Sequence, residues 1–325
     1  MKTIPCGWYY AGKSKEFSSK LRALSLAEKS LLVFRVSIGK LVATQSHCPH
    51  MNADLSKAQV TKSGLVCPLH KWHFSHQGPL LSIPGQPKDS IPAYACLETY
   101  QVQEVSGHVF IHTDSKRTRG DLPFFTEERM DDFQISRPYF LKGNNHWSVA
   151  AANAFDLAHF EYVHHRSPTR TILSDFSPKD SCHLSLEYEI KGKSLADRWL
   201  VKKYGKQARL DYSVYNGQLI VAKTSIGPFR NRMLVFVQPE QEQFRATLFV
   251  FTPKSKNPLA RLQNEISAYF SYRFFQKECV ELNGIKIDPS KLAEHEVLLK
   301  NYFHWLEPQI PQRNDSSLKS LGTIN

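Results

Sequence analysis

Short apolar stretches separated by turn residues dominate the first hundred residues of the chain. Leu31–Val36 is a run of mostly apolar, β-favouring residues, and a second strand begins at Lys40–Thr44 after a turn. Farther on, Tyr100–Val105 and His108–His112 flank a Ser-Gly pair, which is typical of a hairpin. This pattern predicts an all-β module that ends near residue 115.

The pattern changes after Ser115–Gly120, a polar and basic segment that we interpret as a linker. Over Trp147–His165 the apolar residues recur at steps of three and four, which predicts a helix. Strands alternate with turns over residues 184–252, and helical spacing returns at Leu259–Leu282 and Pro289–Leu306.

The composition is that of an ordinary globular protein. Of the 325 residues 41% are apolar, and no apolar run reaches the roughly 18 residues of a membrane span. The first seventeen residues lack a secretory apolar segment, and six cysteines are too few for a disulfide framework. We therefore expect a cytoplasmic protein of the α+β class, with one domain at residues 1–115 and a second at 121–325. Whether the N-terminal strand packs on the second domain stays open.

The chain carries a net charge of +12, from 42 Lys and Arg against 30 Asp and Glu. This charge serves solubility alone or attracts an anionic partner. The basic residues are scattered and no nucleic-acid-binding signature occurs, so nucleic acid is not expected. An acidic electron-donor protein and a substrate with a carboxylate fit the charge equally well.

Two short Cys-His motifs form the most specific feature of the sequence. Cys48 and His50 are followed, after sixteen intervening residues, by Cys67 and His70. Two thiolates and two imidazoles can hold either zinc or a [2Fe–2S] cluster. A structural zinc site usually pairs like ligands along the chain, whereas each loop here supplies one of each. The interleaved order favours a cluster in which the thiolates bind one iron and the imidazoles the other. A zinc site or unrelated core residues are the alternatives.

With their surroundings, these motifs resemble the Rieske domain of the Rieske-type oxygenases. The similarity extends over VFRVSIGKLVATQSHCPHMNADLS, LVCPLHKWHFSHQG and PAYACLETYQVQEVSGHVFIH. It implies an N-terminal all-β Rieske domain in which Cys48, His50, Cys67 and His70 bind the [2Fe–2S] cluster. Lys71 departs from the family, which most often has Gly at that position.

A second motif places a carboxylate and two imidazoles on one short segment. Asp156 and His159 are three apart and share a helix face, whereas His164 is five residues beyond His159. The helix must therefore loosen or end if both imidazoles are to meet one metal. Two His and one carboxylate on one side of iron leave the other side open. A solvated helix face or a packed core group is the alternative, and His165 could replace His164.

This second motif, with Asn153 three residues before Asp156, resembles the catalytic-iron motif of the same family. The resemblance implies a third iron ligand, a carboxylate on a C-terminal helix. Glu278 aligns with that position, although the family usually has Asp there, and Glu281 is the alternative. It also implies a homotrimer in which Asp156 bridges His70 of one subunit to an iron-binding imidazole of the next, while Asn153 supports the iron site.

The family's fold and activity complete the expectation. The second domain is expected to be helix-grip-like, with a central antiparallel sheet. The chain is expected to be a terminal oxygenase with a Rieske cluster and a mononuclear iron(II), which activates dioxygen to hydroxylate an apolar or aromatic substrate. No Rossmann or flavin fingerprint occurs, so electrons from NAD(P)H are expected through a separate reductase or ferredoxin.

The reaction and the substrate are less constrained. The length of the chain favours monooxygenation or demethylation. Ring cis-dihydroxylation is the alternative within the family, and a non-catalytic Rieske electron carrier is the alternative outside it. Apolar and aromatic residues of 184–252 and Phe270–Phe275 are expected to line the substrate pocket. Arg198, Lys202 or Lys203 is expected near its opening, where it would attract a carboxylate.

Overall fold

A computed structural model of the chain describes residues 4–17, 21–36, 39–116, 120–124, 128–192, 195–240, 243–257 and 259–309. Residues 117–119 of the predicted linker lie outside these ranges. So do residues 1–3 of the first predicted domain and residues 310–325 of the second.

Two antiparallel sheets form the first part of the protein. The first has the strand order β1-β10-β9-β4-β3-β2, and the second, smaller one has the order β5-β6-β7-β8. The β9–β10 hairpin lies where the sequence predicted it. The strands are β1 (Trp8–Lys13), β2 (Arg22–Leu26), β3 (Lys29–Arg35), β4 (Leu41–Gln45), β5 (Gln59–Val60), β6 (Gly64–Val66), β7 (His73–Ser75), β8 (Leu80–Ser82), β9 (Thr99–Val105) and β10 (His108–His112).

Strand β3 shows why a continuous apolar run forms a strand here. Alternate side chains of a strand point to opposite faces, so a run that is apolar at every position must be buried on both. Leu32 and Phe34 pack into a core that includes Phe74 of the smaller sheet. Leu31 and its neighbours on the opposite face pack into a second core with Tyr9.

In the described residues after the first part, the main elements are one large antiparallel sheet and five α-helices. Its strand order is β11-β18-β17-β16-β15-β14-β13, and β12 also pairs with β18. The strands are β11 (Phe133–Ile135), β12 (Tyr139–Gly143), β13 (Arg166–Asp175), β14 (Ser181–Ile190), β15 (Gln207–Tyr215), β16 (Leu219–Ile226), β17 (Phe229–Glu240) and β18 (Gln243–Pro253). The helices are α1 (Trp147–Ala152), α2 (Leu157–Tyr162), α3 (Leu195–Tyr204), α4 (Leu259–Glu281) and α5 (Val297–Leu306).

The large sheet lies between the helices and the N-terminal part. One face, with Leu186, Leu210 and Val235 among its buried residues, packs against the helices. On the other face Phe236 stacks on Phe110 of β10, with 5.0 Å between ring centroids, and Trp8 of β1 belongs to the same core. The fold is thus α+β, an all-β N-terminal part followed by a helix-covered antiparallel sheet.

The structure corrects the sequence interpretation at three places. The helix predicted over Trp147–His165 is divided into α1, a 3-10 turn at Asn153–Phe155 and α2. Helix α3 interrupts the region from 184 to 252, where only strands were predicted. The helix predicted from Pro289 starts as a single 3-10 turn, and α5 follows only at Val297. No helix within the described ranges is long and apolar enough to cross a membrane.

Candidate metal centres

Two loops of similar construction carry the four predicted cluster ligands. One follows β4, and the other joins β6 to β7. In each loop the N–H of the cysteine donates to the carbonyl five residues later, at 2.9 Å. The carbonyl of the cysteine accepts from the residue four positions later, which joins Cys48 to Asn52 and Cys67 to Lys71. These backbone bonds fix both cysteines before any metal binds.

The loops bring like side chains together. The thiols of Cys48 and Cys67 are buried and neighbour each other. The rings of His50 and His70 meet edge to face at 4.9 Å, and His50 also stacks on Trp72 at 4.2 Å. Burial raises the pKa of Cys48 to about 11, and its contact with Cys67 adds to the rise. A metal that binds here must therefore displace a thiol proton.

The distances among these four side chains distinguish a site for one zinc ion from a site for a two-iron cluster. Ligands of one tetrahedral zinc, at about 2.0–2.3 Å from the ion, lie roughly 3.5 Å apart. Among the described residues, only a group elsewhere in the molecule brings three or more such ligand atoms within 4.8 Å of one another. Two adjacent thiols beside two adjacent imidazoles fit a cluster whose irons take unlike ligands.

Lys71 occupies a backbone position that favours glycine. Its φ is +56°, and Asn52 at the equivalent place in the first loop has φ +55°. Asn tolerates this left-handed region, whereas a long side chain costs about 1 kcal/mol there. The Nζ of Lys71 donates to the carbonyl of Pro68 at 3.0 Å, which offsets part of the cost.

We expect Lys71→Gly to stabilise the protein by about 0.5 kcal/mol, because relief of the left-handed strain exceeds the added entropy of the unfolded chain. Urea unfolding followed by tryptophan fluorescence measures the change. Asn52→Gly is the matched control and should have a smaller effect. If Lys71→Gly did not raise the free energy of unfolding above that of the Asn52→Gly control, this account would be contradicted.

A second group lies between α2 and α4. His159 Nε2 is 3.1 Å from Glu278 Oε2, and His164 Nε2 is 2.9 Å from Glu278 Oε1. The two Nε2 atoms are 2.9 Å apart. The side chains are 6–8% exposed, so the group is almost closed to solvent. The structure thus brings together the two predicted His ligands and the predicted carboxylate.

The end of helix α2 allows two imidazoles five residues apart in the sequence to face each other. Asp156 caps α2, since its Oδ1 accepts from the N–H of His159 at 2.9 Å. Helix α2 has only six residues and ends at Tyr162, and His165 has φ +54°. The backbone therefore changes direction after less than two helical turns. His164 therefore faces His159, as the predicted end of the helix requires.

The Glu278 carboxylate is built to stay ionised. Burial alone would raise its pKa, but contacts with His159 and His164 outweigh burial and hold the pKa at about 2. Its Oε1 has no hydrogen-bond partner, although it lies 2.9 Å from His164 Nε2. One ligand atom from each of the three side chains lies within 4.8 Å of the others, which is the arrangement expected of ligands around a shared cation. The two imidazoles and the carboxylate fit an iron(II) site.

Four other residues that the sequence named as candidates lie near this group but are not part of it. Asn153 Nδ2 donates to Glu278 Oε2 and so holds the carboxylate from the α1 side. Glu281 forms an ion pair with Lys277 at 3.1 Å instead of joining the group. The carbonyl of His165 accepts a hydrogen bond from the N–H of Lys191, which directly follows β14. Asp156 is held by its cap and is partly exposed.

The sequence placed Phe274 in the range expected to line the substrate pocket but did not predict its contact with His164. The ring of Phe274 lies 4.8 Å from that of His164, yet the two are 110 positions apart in the sequence. Only tertiary packing brings them together, so no local pattern could have identified the contact. Trp72, by contrast, is only two residues after His70, and its place beside the motif was a usable signal.

The predicted substrate-pocket regions line a small apolar cavity. It lies between α4 and the sheet, has a volume of about 20 Å³ and is lined by residues including Ile220, Val237, Phe275 and Cys279. Asn145 is its polar member: its Nδ2 donates to the carbonyl of Leu282, and its Oδ1 has no partner. Arg198, Lys202 and Lys203 are exposed on α3.

Comparison with known proteins supports this description. The Rieske [2Fe-2S] domain model matches residues 7–101. An oxygenase component from Rhodococcus rhodochrous, named as a probable 3-ketosteroid-9-alpha-monooxygenase, is 28% identical over 171 residues, covering 50% of this chain and 42% of that protein. The 3-chlorobenzoate-3,4-dioxygenase oxygenase subunit of Comamonas testosteroni is 28% identical over 161 residues, covering 48% and 37%. The chain therefore contains a Rieske [2Fe-2S] domain and is similar to oxygenase components over about half of its length.

The fold extends the relationship beyond the matched segments. The structure of dicamba monooxygenase bound to dicamba superposes with a TM-score of 0.60 and covers 95% of this chain and 98% of that one, at 16% identity. At this identity the match shows the fold alone. The sequence matches span about two fifths of the two curated oxygenases. The overall fold, including the part around the His159 group, is therefore similar to that of dicamba monooxygenase.

Proposed function

We propose that this protein is the terminal component of a Rieske oxygenase that hydroxylates an apolar substrate. The observation that carries the proposal is the compact group of His159, His164 and Glu278 in a chain that also has a Rieske domain. A ligand group for a mononuclear metal would have no purpose in a simple electron carrier. The proposal includes iron(II) at this group and a [2Fe–2S] cluster at Cys48, His50, Cys67 and His70.

When bound, the cluster supplies one-electron transfer and the iron(II) supplies dioxygen activation. His159, His164 and Glu278 would hold the iron from one side, which leaves the opposite side free for substrate. Asn153 fixes the orientation of the Glu278 carboxylate through its amide N–H. The near-complete burial of the three ligands excludes water from their side of the site.

We propose that Asp156 links the two centres between subunits of a homotrimer. Its cap keeps the carboxylate at the end of α2 that carries His159. His70 is exposed on its loop, and two apolar residues next to the imidazoles of the loops, Leu69 after Pro68 and Met51 after His50, are 53% and 64% exposed. An exposed imidazole with apolar neighbours is suited to contact with another subunit. A carboxylate between two imidazoles accepts an N–H from each and fixes both tautomers.

The proposed substrate is an apolar or aromatic molecule, and the proposed reaction is monooxygenation or demethylation. The names of the relatives, which include a ketosteroid monooxygenase, support this class. Ring dihydroxylation is the second candidate reaction, because a chlorobenzoate dioxygenase is equally similar. We further propose that the protein is cytoplasmic and receives NAD(P)H electrons through a separate reductase or ferredoxin.

Isotope-labelled dioxygen tests the proposal. The protein, a Rieske-oxygenase reductase and NADH would be incubated with steroids and with substituted aromatic acids and ethers. We expect one labelled oxygen atom in a hydroxylated or dealkylated product. Two labelled atoms in a cis-diol would assign the dihydroxylation instead. NADH consumption that releases only peroxide with every substrate class, at full iron content, would contradict the proposed substrate class.

Replacement of Asn153 tests its support of the iron site. We expect Asn153→Ala to weaken iron(II) binding by about 10- to 100-fold, because Glu278 loses the donor that orients it. Competition with a chelator measures the affinity, and cluster absorption should not change. Asn145→Ala is the matched control, since its amide donates to the carbonyl of Leu282, directly after the helix that carries Glu278. Equal iron affinity in Asn153→Ala and the native protein would exclude this role.

A further inference from the structure

Helices α3 and α4 lie in one layer on the helix-covered face of the large sheet. Leu200 and Val201 of α3 and Phe275 of α4 pack against the same core. Both helices also contact the first residues of β17. Tyr204 stacks on Phe229 at 6.0 Å, and Asn231 Nδ2 donates to Ser271 Oγ at 3.1 Å. Their opposite sides therefore point away from the sheet in the same direction.

These opposite sides carry large apolar residues, which we call the outer helix face. On α4 these residues follow one another at intervals of one, three or four positions. Helix α3 contributes a single tryptophan. Each is 45–62% exposed, although a soluble surface normally places such residues singly. The outer helix face comprises Trp199, Leu262, Ile266, Tyr269, Phe270 and Phe274.

The charges around the outer helix face are mostly positive. Arg198, Lys202 and Lys203 are exposed on α3, whereas Asp197, the acidic residue of that helix, is buried and paired with Arg166 at 2.6 Å. On α4 Arg261 and Arg273 are exposed. The two acidic residues on the exposed sides of α4 each have a basic partner, Glu265 with Arg137 and Glu281 with Lys277.

We propose that the outer helix face docks on an anionic lipid membrane. Aromatic and aliphatic side chains flanked by Lys and Arg are typical of proteins that lie in the membrane interface. The Nζ of Lys203 lies 4.8 Å from the ring of Trp199, so one residue pair offers both an interfacial ring and a cation for lipid phosphate. The positive charge around the apolar residues complements an anionic surface such as a layer of lipid phosphates.

The docking surface borders the proposed iron site. Phe274 belongs to the outer helix face, and its ring also contacts that of His164 at 4.8 Å. An apolar molecule dissolved in the bilayer would therefore meet the protein next to the metal ligands. This consequence rests on the proposed function, whereas the membrane docking itself does not.

Vesicle flotation of the purified full chain tests the proposal without any turnover. Vesicles of pure phosphatidylcholine are compared with vesicles of phosphatidylcholine and phosphatidylglycerol in equal amounts. One variant combines Arg198→Gln, Lys202→Gln and Lys203→Gln, and a second combines Trp199→Ser, Leu262→Ser and Ile266→Ser. The matched charge control combines Lys57→Gln, Lys62→Gln and Lys88→Gln, which are exposed in the N-terminal part. Phe140→Ser is the apolar control, since Phe140 is 65% exposed on β12.

We expect the native protein to float with the anionic vesicles and to bind the neutral ones far less. Each cation on the docking surface contributes about fivefold, so the charge variant should lose binding by about a hundredfold. The apolar variant should lose at least about tenfold, and both controls should bind as the native protein does. Circular dichroism and melting temperature verify that every variant is folded.

Three results would overturn the proposal. The first is a native protein that fails to bind the anionic vesicles. The second is a charge control that loses as much binding as the α3 variant, which would assign the effect to the overall charge. The third is an apolar variant that binds vesicles normally but sediments as a smaller species, which would make the outer helix face a subunit interface.

Discussion

His159→Ala should abolish substrate oxidation and leave the absorption of the Rieske cluster unchanged. The Nε2 of His159 lies 3.1 Å from Glu278 and 2.9 Å from His164, so its removal opens the group that would hold the iron. The cluster loops are formed by other elements and hydrogen-bond within themselves. We expect iron content to fall from about three to about two per chain, with sulfide unchanged at about two. Turnover with a reductase and metal analysis are the measurements.

His165→Asn is the matched control for this change. His165 is also an imidazole of the same segment, but its φ of +54° suits Asn, and it is not part of the compact group. It should keep its mononuclear iron and most of its turnover. If His159→Ala still oxidised substrate, the metal group would not be the site of reaction. If His165→Asn lost its iron as His159→Ala does, the choice of His164 as a ligand would be wrong.

Asp156→Asn should slow electron transfer between the two centres by roughly a hundredfold while both centres remain occupied. Asn is as good an N-cap as Asp, so α2 should still begin at Leu157 and present His159 correctly. The amide lacks the negative charge and the second acceptor that a bridge between two imidazoles needs. The measurement is a single-turnover reaction, in which chemically reduced protein is mixed with dioxygen and substrate and the reoxidation of the cluster is followed.

A capping aspartate elsewhere supplies the control for Asp156. Asp288 caps the 3-10 turn at Pro289–Lys291 through the N–H of Ser290, so Asp288→Asn makes the same chemical change away from either metal group. Its reoxidation rate should equal that of the native protein. A native rate in Asp156→Asn would mean that Asp156 serves only as a helix cap. Loss of iron from Asp156→Asn would show a ligand-positioning role instead of a bridging one.

The sequence predicted those parts of the protein that depend on short-range geometry. Cys48 with His50 and Cys67 with His70 each lie within one loop, so their spacing carried the prediction. The five-residue step from His159 to His164 likewise required the helix to end, and α2 ends at Tyr162. The position of Glu278 came from a family resemblance, because nothing local links it to residues more than a hundred positions earlier.

The rest depends on tertiary packing. Helix α3 was missed because its apolar residues, such as Leu200 and Val201, lie in a region where strands alternate with turns. Its burial against the core of the large sheet decides its conformation. The contact of Phe274 with His164 and the shared direction of α3 and α4 likewise follow from how helices cover the sheet. No periodicity in one segment encodes either feature.

Metal and sulfide analysis combined with electron paramagnetic resonance tests the central claim most directly. The full chain, purified without oxygen and reduced with dithionite, should contain about three irons and two acid-labile sulfides and give the signal of a Rieske cluster. Nitric oxide added to the reduced protein should produce a separate signal from the mononuclear iron. A colourless protein that holds a single zinc at the cysteines would contradict the account, because neither electron transfer nor dioxygen chemistry would then be available.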